Sequence, residues 1–369
     1  MTCPSIPFTS LVPREDAADV RAAIDRVVAS GWFVLGPEVD AFETEFAAAS
    51  GAARAVGTGN GTDAIALALR ALGIGPGDEV ITTALSAAYT ALAVLMAGAR
   101  PVFADIAPAR LTIDPEAVSA AVTPRTRAIV PVHLYGQAAD MDAIARVASR
   151  HHLAIVEDCC QAHLATARGR AVGTMGAAGA FSFYPTKNLG ALGDGGAIVT
   201  SDRQLADRLV RLRNGGQTDR YRHQEPGVNS RLDEMQAAIL RARLPRLAAW
   251  TERRRSLAGA YRTALAGARV EVPPAADPGH VYHLFVVQAP RRGGDDRRAA
   301  LQQHLKAQGI ETLVHYPIPI PRQPAMAGSG PADCPRAAAA CDAVLSLPLH
   351  PGLTDGELAD VAAAVHEFQ

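Results

Sequence analysis

The chain has 369 residues, 49% of them hydrophobic, which is enough to fill more than one core, so two lobes are expected. Thirty-six Lys and Arg against 37 Asp and Glu leave a formal charge of -1. That balance excludes a general nucleic-acid binder and a basic membrane-surface protein, and any anion must be held locally.

The opening residues, Met1 to Asp16, lack a basic start followed by an apolar core, so no secretory signal is expected. Five cysteines, Cys3, Cys159, Cys160, Cys334 and Cys341, form no regular framework and fit reduced thiols in a cytoplasmic protein. From Ala55 to Arg70 the sequence AVGTGNGTDAIALALR runs from a glycine-rich turn into a helix expected to begin near Thr62. Helix N-termini expose unpaired N–H groups that bind phosphate. Gly57, Gly59 and Gly61 miss the third glycine of the dinucleotide fingerprint, and no Gly-Lys-Ser/Thr follows. A plain helix cap by Thr62 or Asp63 accounts for the same residues. Val80 to Ala99 carries no charge and is long enough to cross a bilayer, but Thr82, Thr83, Ser86, Tyr89, Thr90 and Gly98 dilute it. It divides into a short strand, a turn and a buried helix.

Further strands are expected at Glu79 to Thr82, Ala128 to Val132, Leu153 to Val156, Ala177 to Phe183 and Ala197 to Thr200, with helices at Met141 to Arg150 and Gln204 to Arg213. This alternation implies an α/β fold whose mainly parallel sheet is flanked by helices. The strand at Leu153 ends in Glu157 and Asp158, where open parallel sheets bind their ligands. A carboxylate there can keep a pyridine nitrogen protonated, and Gln161 can hydrogen-bond a ring oxygen. A helix-capping acid with a satisfied amide neighbour is the other reading. Cys160 and His163 have a ligand-like spacing without a second pair, so no metal is expected.

FSFYPTKNLGALGDGGAIVT, from Phe181 to Thr200, sets Lys187 between a serine-bearing strand and a turn containing Gly190, Gly193, Gly195 and Gly196. A lysine forms a Schiff base only while its amine is unprotonated, which requires an enclosed, partly desolvated position. An ordinary loop lysine among turn glycines is the alternative. Arg231 to Trp250 then reads as one long helix until Pro245, a bridge between lobes of residues 1–245 and 246–369. Asn229 and Arg231 at its start can bind an anion, although Arg231 can equally pair with Asp233 or Glu234. The smaller, C-terminal α/β lobe has an expected strand at Val281 to Gln288 and helices at Leu301 to Gln308 and Asp355 to Phe368. The runs Arg253 to Arg255 and Arg291 to Arg298 read as solvated faces. His315 and Tyr316 lie on a proline-braced loop fit to border a substrate cleft.

Taken together, the chain resembles the DegT/StrS-type sugar aminotransferases, pyridoxal-phosphate enzymes of the aspartate-aminotransferase fold type (fold type I). The likeness runs almost end to end, through SGWFVLGPEVDAFE, GNGTDAIAL, PVHLYGQAADM, VEDCCQAH, FSFYPTKNLG, NSRLDEMQAAIL and LSLPLHPGLTD. The resemblance implies that Lys187 carries pyridoxal 5'-phosphate as an imine, Asp158 pairs with the pyridine nitrogen and Gln161 contacts the ring near its oxygen. Phosphate is expected on the backbone at Gly61, Thr62 and Asp63 with the Ser182 hydroxyl, completed by Asn229 from a neighbouring subunit. A homodimer with shared active sites follows, with Arg231 as a cross-subunit carboxylate clamp and His315 and Tyr316 beside the substrate.

The implied reaction moves an amino group from an amino acid, L-glutamate, to a keto-sugar, most often nucleotide-linked, through pyridoxamine phosphate. A cyclitol or other carbocyclic ketone is an alternative acceptor, and a non-catalytic pyridoxal-phosphate-binding regulator an alternative role. Sugar 3-dehydratases of the same family carry histidine in place of Lys187. Three departures from the family pattern stand out: Leu85, Ser86 and Ala87 where an aromatic ring is usual, Leu164 in place of a glycine, and Pro321 in place of a histidine.

Overall fold

The computed structural model describes residues 5–291, 295–330 and 333–368; Cys3 and residues 292–294 of the second arginine run lie outside them. A seven-stranded sheet forms its centre. Its strands are β1 (Arg54–Thr58), β2 (Glu79–Thr83), β3 (Arg100–Ala104), β4 (Thr126–Val130), β5 (Ala154–Asp158), β6 (Ala178–Ser182) and β7 (Gly196–Thr200). They lie side by side as β1-β7-β6-β5-β4-β2-β3. β7 runs antiparallel to both of its neighbours, and the other pairs are parallel. The return strand expected after Lys187 is this β7, with Ser182 opposite Gly196.

Side chains alternate across the sheet, as a pleated strand requires. Val80, Ala128, Val130 and Val156 join a core with α3 (Gly61–Ala71), α4 (Tyr89–Met96) and α7 (Arg203–Leu212) on one face. Their sequence neighbours Ile81, Ile129 and Ile155 point the other way, to Val118 and Ile144. Every residue of β2 is buried, as expected for a parallel strand covered on both faces. Farther along that second face, Phe42 and Phe46 of α2 (Pro37–Ser50) pack edge-on against Phe181 and Phe183.

β1 and β3 were not expected as strands. β3 reads RPVFA, and its proline is tolerated because β3 is the sheet edge, where a missing N–H breaks no inner ladder. The long helix expected over Arg231 to Trp250 is corrected to two. α8 spans Glu234–Arg243, a 3-10 turn follows at Leu244–Arg246, and α9 runs on over Leu247–Ala264. Pro245 has no N–H to continue the α ladder, so the chain tightens there instead. Residues before Glu234 are extended: Asn229 bridges Asn214, and Arg231 donates to Asn214 Oδ1 at 2.9 Å rather than pairing with Asp233 or Glu234. Glu234 is used elsewhere, its buried carboxylate accepting the N–H groups of Gly36, Glu38 and Val39 at the start of α2.

The C-terminal part has its own core around an antiparallel pair, β8 (Phe285–Gln288) and β9 (Val344–Leu347), with Leu257 and Tyr261 of α9 and Val361 and Val365 of the last helix. Ile6 from the N-terminal segment joins it. The expected strand at Val281 shortens to β8. The arginine run at 253–255 is not a solvated face throughout: Arg254 is buried. Among the described residues no helix is long and apolar enough to cross a membrane.

Candidate active site

The carboxyl ends of β5 and β6 and the start of α3 open onto one cavity of about 840 Å³. Gly61, Thr62, Asp63, Asp158, Gln161, Ser182 and Lys187 line it, and His315 and Tyr316 close it from the C-terminal side. Of the residues expected to touch cofactor or substrate, Asn229 and Arg231 lie off this wall, and Asn229 is exposed.

Asp158 is fixed from two sides. Thr90 Oγ1 donates to its Oδ2 at 2.7 Å, and the Cys160 N–H donates to its Oδ1 at 3.0 Å. The neighbouring Glu157 is structural. Its fully buried carboxylate accepts the Gly173, Met175 and Gly176 N–H groups and pairs with His133 at 3.0 Å. His133, Glu157 and Cys159 are close enough to hold a metal ion, but His133 Nδ1 already accepts the Ala139 N–H. Both nitrogens and the carboxylate are thus occupied by bonds that brace the end of β5.

Lys187 is half-buried on a turn whose closure depends on glycine: a Cβ at Gly190 would lie 2.5 Å from the Pro185 carbonyl oxygen. Burial lowers the pKa of its amine, opposed by Cys160 and Asp158 nearby. The unprotonated amine that Schiff-base chemistry needs is therefore favoured by desolvation. His283, missed in the sequence, also lines the cavity; burial and then the Lys187 charge push its pKa well down. Its Nδ1 lies 3.3 Å from Asn188 Oδ1, and Asn188 Nδ2 donates to the Val281 carbonyl, so it is tied to the lysine turn.

The start of α3 differs from the expected cap. Asn60 is the N-cap, its Oδ1 accepting the Asp63 N–H at 2.8 Å. The Asp63 carboxylate takes Ser230 Oγ at 2.6 Å and Asn60 Nδ2 at 3.1 Å. Asp63 is therefore consumed by the cap, and the amides of Gly61 and Thr62 are the ones without a partner among the described residues. A Cβ on Gly61 would meet Cys160 Sγ at 2.7 Å and Ser182 Cβ at 2.8 Å, so glycine alone lets this helix end sit against β6. Gln161 is oriented by both ends of its amide: Oε1 accepts the Tyr135 N–H at 2.8 Å, and Nε2 donates to Tyr316 Oη at 2.9 Å. Burial raises the Tyr316 pKa to about 12, with the Gln161 bond opposing, so the hydroxyl stays protonated. The Tyr135 hydroxyl donates to the His315 carbonyl, fastening the proline loop to the large sheet.

Where the family usually places an aromatic ring, Ser86 and Ala87 line the cavity, Leu85 is buried elsewhere, and Tyr89 stands exposed at the rim. Leu164 adopts φ +59°, the left-handed region, which explains why a glycine is usual there.

A free-amide helix start, a strand-end carboxylate and a desolvated amine on one wall match the phosphate, pyridine nitrogen and aldehyde of pyridoxal phosphate. On this α/β sheet they define the class of pyridoxal-phosphate-dependent aminotransferases. Residues 14–366 match the DegT/DnrJ/EryC1/StrS aminotransferase family, and the chain belongs to it. It is 49% identical, over 99% of its own length and 96% of the relative's, to a dTDP-3-amino-3,4,6-trideoxy-alpha-D-glucose transaminase of Streptomyces venezuelae. It is 46% identical to a pleiotropic regulatory protein of Geobacillus stearothermophilus, over 95% of this chain and 94% of that one. The crystal structure of S. venezuelae DesV in complex with a ketimine intermediate superposes with a TM-score of 0.93 at 49% identity, covering 99% of this chain and 98% of that one.

Proposed function

We propose that this chain moves the amino group of L-glutamate onto a keto-sugar joined to a nucleoside diphosphate. The observation that carries the reading is the placement of Lys187, with its lowered proton affinity, on the same cavity wall as Asp158 and the start of α3. The dTDP-sugar transaminase at 49% identity supports a nucleotide-linked acceptor.

In this reading the Gly61 and Thr62 amides and the Ser182 hydroxyl hold the cofactor phosphate, and the neighbouring subunit's copy of Asn229 completes that site. Asp158 holds the ring nitrogen protonated, Thr90 steadies Asp158, and Gln161 holds the ring oxygen. When bound, the cofactor supplies an electron sink for the carbanion left at the donor's Cα. Lys187 Nζ, as a free amine, would take the proton from the donor's Cα as general base and deliver it, as general acid, to the cofactor's C4' carbon. His315 and Tyr316 border the acceptor, and Arg231 from the second subunit clamps the donor carboxylate.

A homodimer accounts for the exposed apolar side chains Trp32, Phe33, Tyr89, Met96 and Tyr184, three of which rim the cavity. The cofactor lobe is residues 1–245 and the smaller lobe 246–369, and the protein works in the cytoplasm. The deciding experiment incubates the holoenzyme with 15N-glutamate and a panel of nucleoside-diphosphate keto-sugars and identifies products by mass spectrometry. Label in an amino-sugar nucleotide is expected; label in free carbocyclic amines alone, or none, overturns the reading.

A further inference from the structure

A second, smaller cavity of about 110 Å³ lies behind the Lys187 turn, walled by the N-terminal segment from Thr9 to Asp16, by α9 and by the loop at His350 to Gly352. Arg254 projects from α9 into this wall and is 6% exposed. Its Nη1 donates to three carbonyl oxygens, those of Tyr282 (3.2 Å), His283 (3.4 Å) and Leu349 (2.9 Å). Its Nε has no partner, and no carboxylate pairs with it among the described residues. An uncompensated buried guanidinium is costly, and it keeps its charge because arginine does not readily give up a proton. Burial lowers its pKa only to about 10.

The surroundings add positive charge. Arg14 reaches Gly352 O and Ser10 Oγ but no acid. Arg243 is cancelled by Asp16 at 2.8 Å, and Glu15 is engaged by Trp250 Nε1. Glu357, near Arg14, is engaged in the capping box with Thr354. Burial first, and then the Arg254 and Arg14 charges, lower the pKa of His350 in the same wall. The volume exceeds that of several waters, taking about 10–15 Å³ for each, yet is far too small for a nucleotide sugar.

We propose that this pocket binds a small oxyanion, held by Arg254 and Arg14 with the Ser10 hydroxyl. Phosphate and carboxylate share the required chemistry, because both accept paired N–H bonds from a guanidinium. The site is apart from the cofactor phosphate cradle, but Thr186 and Lys187 line both cavities, and its anchor carries the carbonyl of His283, which also lines the catalytic cavity. Occupancy therefore stiffens a wall common to both.

The test uses the holoenzyme, whose phosphate cradle is already filled by cofactor. Melting temperature is followed against inorganic phosphate, and separately against acetate, at ionic strength fixed with chloride. A saturable rise is expected with at least one of them, and which one identifies the preferred oxyanion. Arg254→Gln and Arg14→Gln should each raise the half-saturating concentration at least tenfold with unchanged cofactor content. Should Arg254→Gln not fold, Arg14→Gln alone decides, since that side chain is exposed. Crystals of the holoenzyme soaked in selenate should show anomalous density beside Arg254. No saturable shift beyond the chloride control, an unchanged half-saturation in the variants, or selenate density only elsewhere overturns the proposal.

Discussion

Thr90 Oγ1 donates a 2.7 Å hydrogen bond to Asp158 Oδ2 across 68 residues of sequence, joining the first turn of α4 to the end of β5. Both residues are buried, so water does not replace the bond if it is lost. A hydrogen bond to a buried charge contributes about 1.5–3 kcal/mol. Thr90→Val is expected to lower kcat about tenfold or more and Thr90→Ser to restore most of it. Activity kept in Thr90→Val but lost in Thr90→Ser would show that the methyl group, not the hydroxyl, matters.

Lys187→Ala should abolish turnover, falling by at least about four orders of magnitude as both the covalent anchor and the general base go. The wild-type protein should absorb in the yellow region with cofactor bound, and borohydride should fix the cofactor to one peptide. Sequencing that peptide checks the assignment, and label on Lys306 instead would overturn it.

Gly61→Ala sets the small propensity gain available at the first position of α3 against a clash with Cys160 Sγ at 2.7 Å and Ser182 Cβ at 2.8 Å. The clash wins, because the neighbours belong to the packed ends of β5 and β6. Cofactor affinity, measured by dialysis and fluorescence titration, should fall at least about tenfold while the fold persists. Adding Cys160→Ala should recover part of it by freeing the space of the sulfur.

The legible parts were those set by local chemistry. Apolar runs gave five of the seven central strands, and Lys187, Asp158, Gln161 and Ser182 meet on one cavity because sheet topology brings strand ends together. What escaped was set by distant partners. Thr90 looked like a polar interruption in an apolar stretch, since its meaning lies in a carboxylate 68 positions away. His283 sat in an ordinary strand motif, and Arg254 in a run of arginines whose two neighbours do reach acids. The Asp63 amide, expected in the anion cradle, is taken locally by Asn60 Oδ1, and only the fixing of its carboxylate by Ser230 depends on a segment far along the chain.

Acid should destabilise the protein well before its carboxylates protonate. His163 and His280 are buried neutral, burial first and nearby positive charge second pushing both pKa values down from 6.5 to about 3. Between those limits the unfolded chain binds protons that the folded chain refuses. Their stabilising contribution is therefore complete above about pH 6.5 and declines as pH falls toward about 3, by about 1.4 kcal/mol per pH unit for each residue. Urea midpoints measured from pH 7.5 to pH 4.5 should fall steadily, and His163→Gln should flatten the slope.

Asn229 is exposed and lies off the cavity wall of its own chain, whereas the cofactor site proposed here uses the copy from a second chain. Asn229→Ala should weaken cofactor retention, and Lys187→Ala should be inactive for a different reason. In a homodimer with shared sites, mixing the two variants places the intact Lys187 beside the intact Asn229 in one of the two sites of each hybrid. Random exchange makes half of the dimers hybrid, so activity should recover to about one quarter of wild type per site, read by glutamate-dependent amino transfer after co-refolding. Mass spectrometry must confirm that hybrids form. If they form and no activity returns, each chain completes its own phosphate site and the second subunit contributes nothing to it.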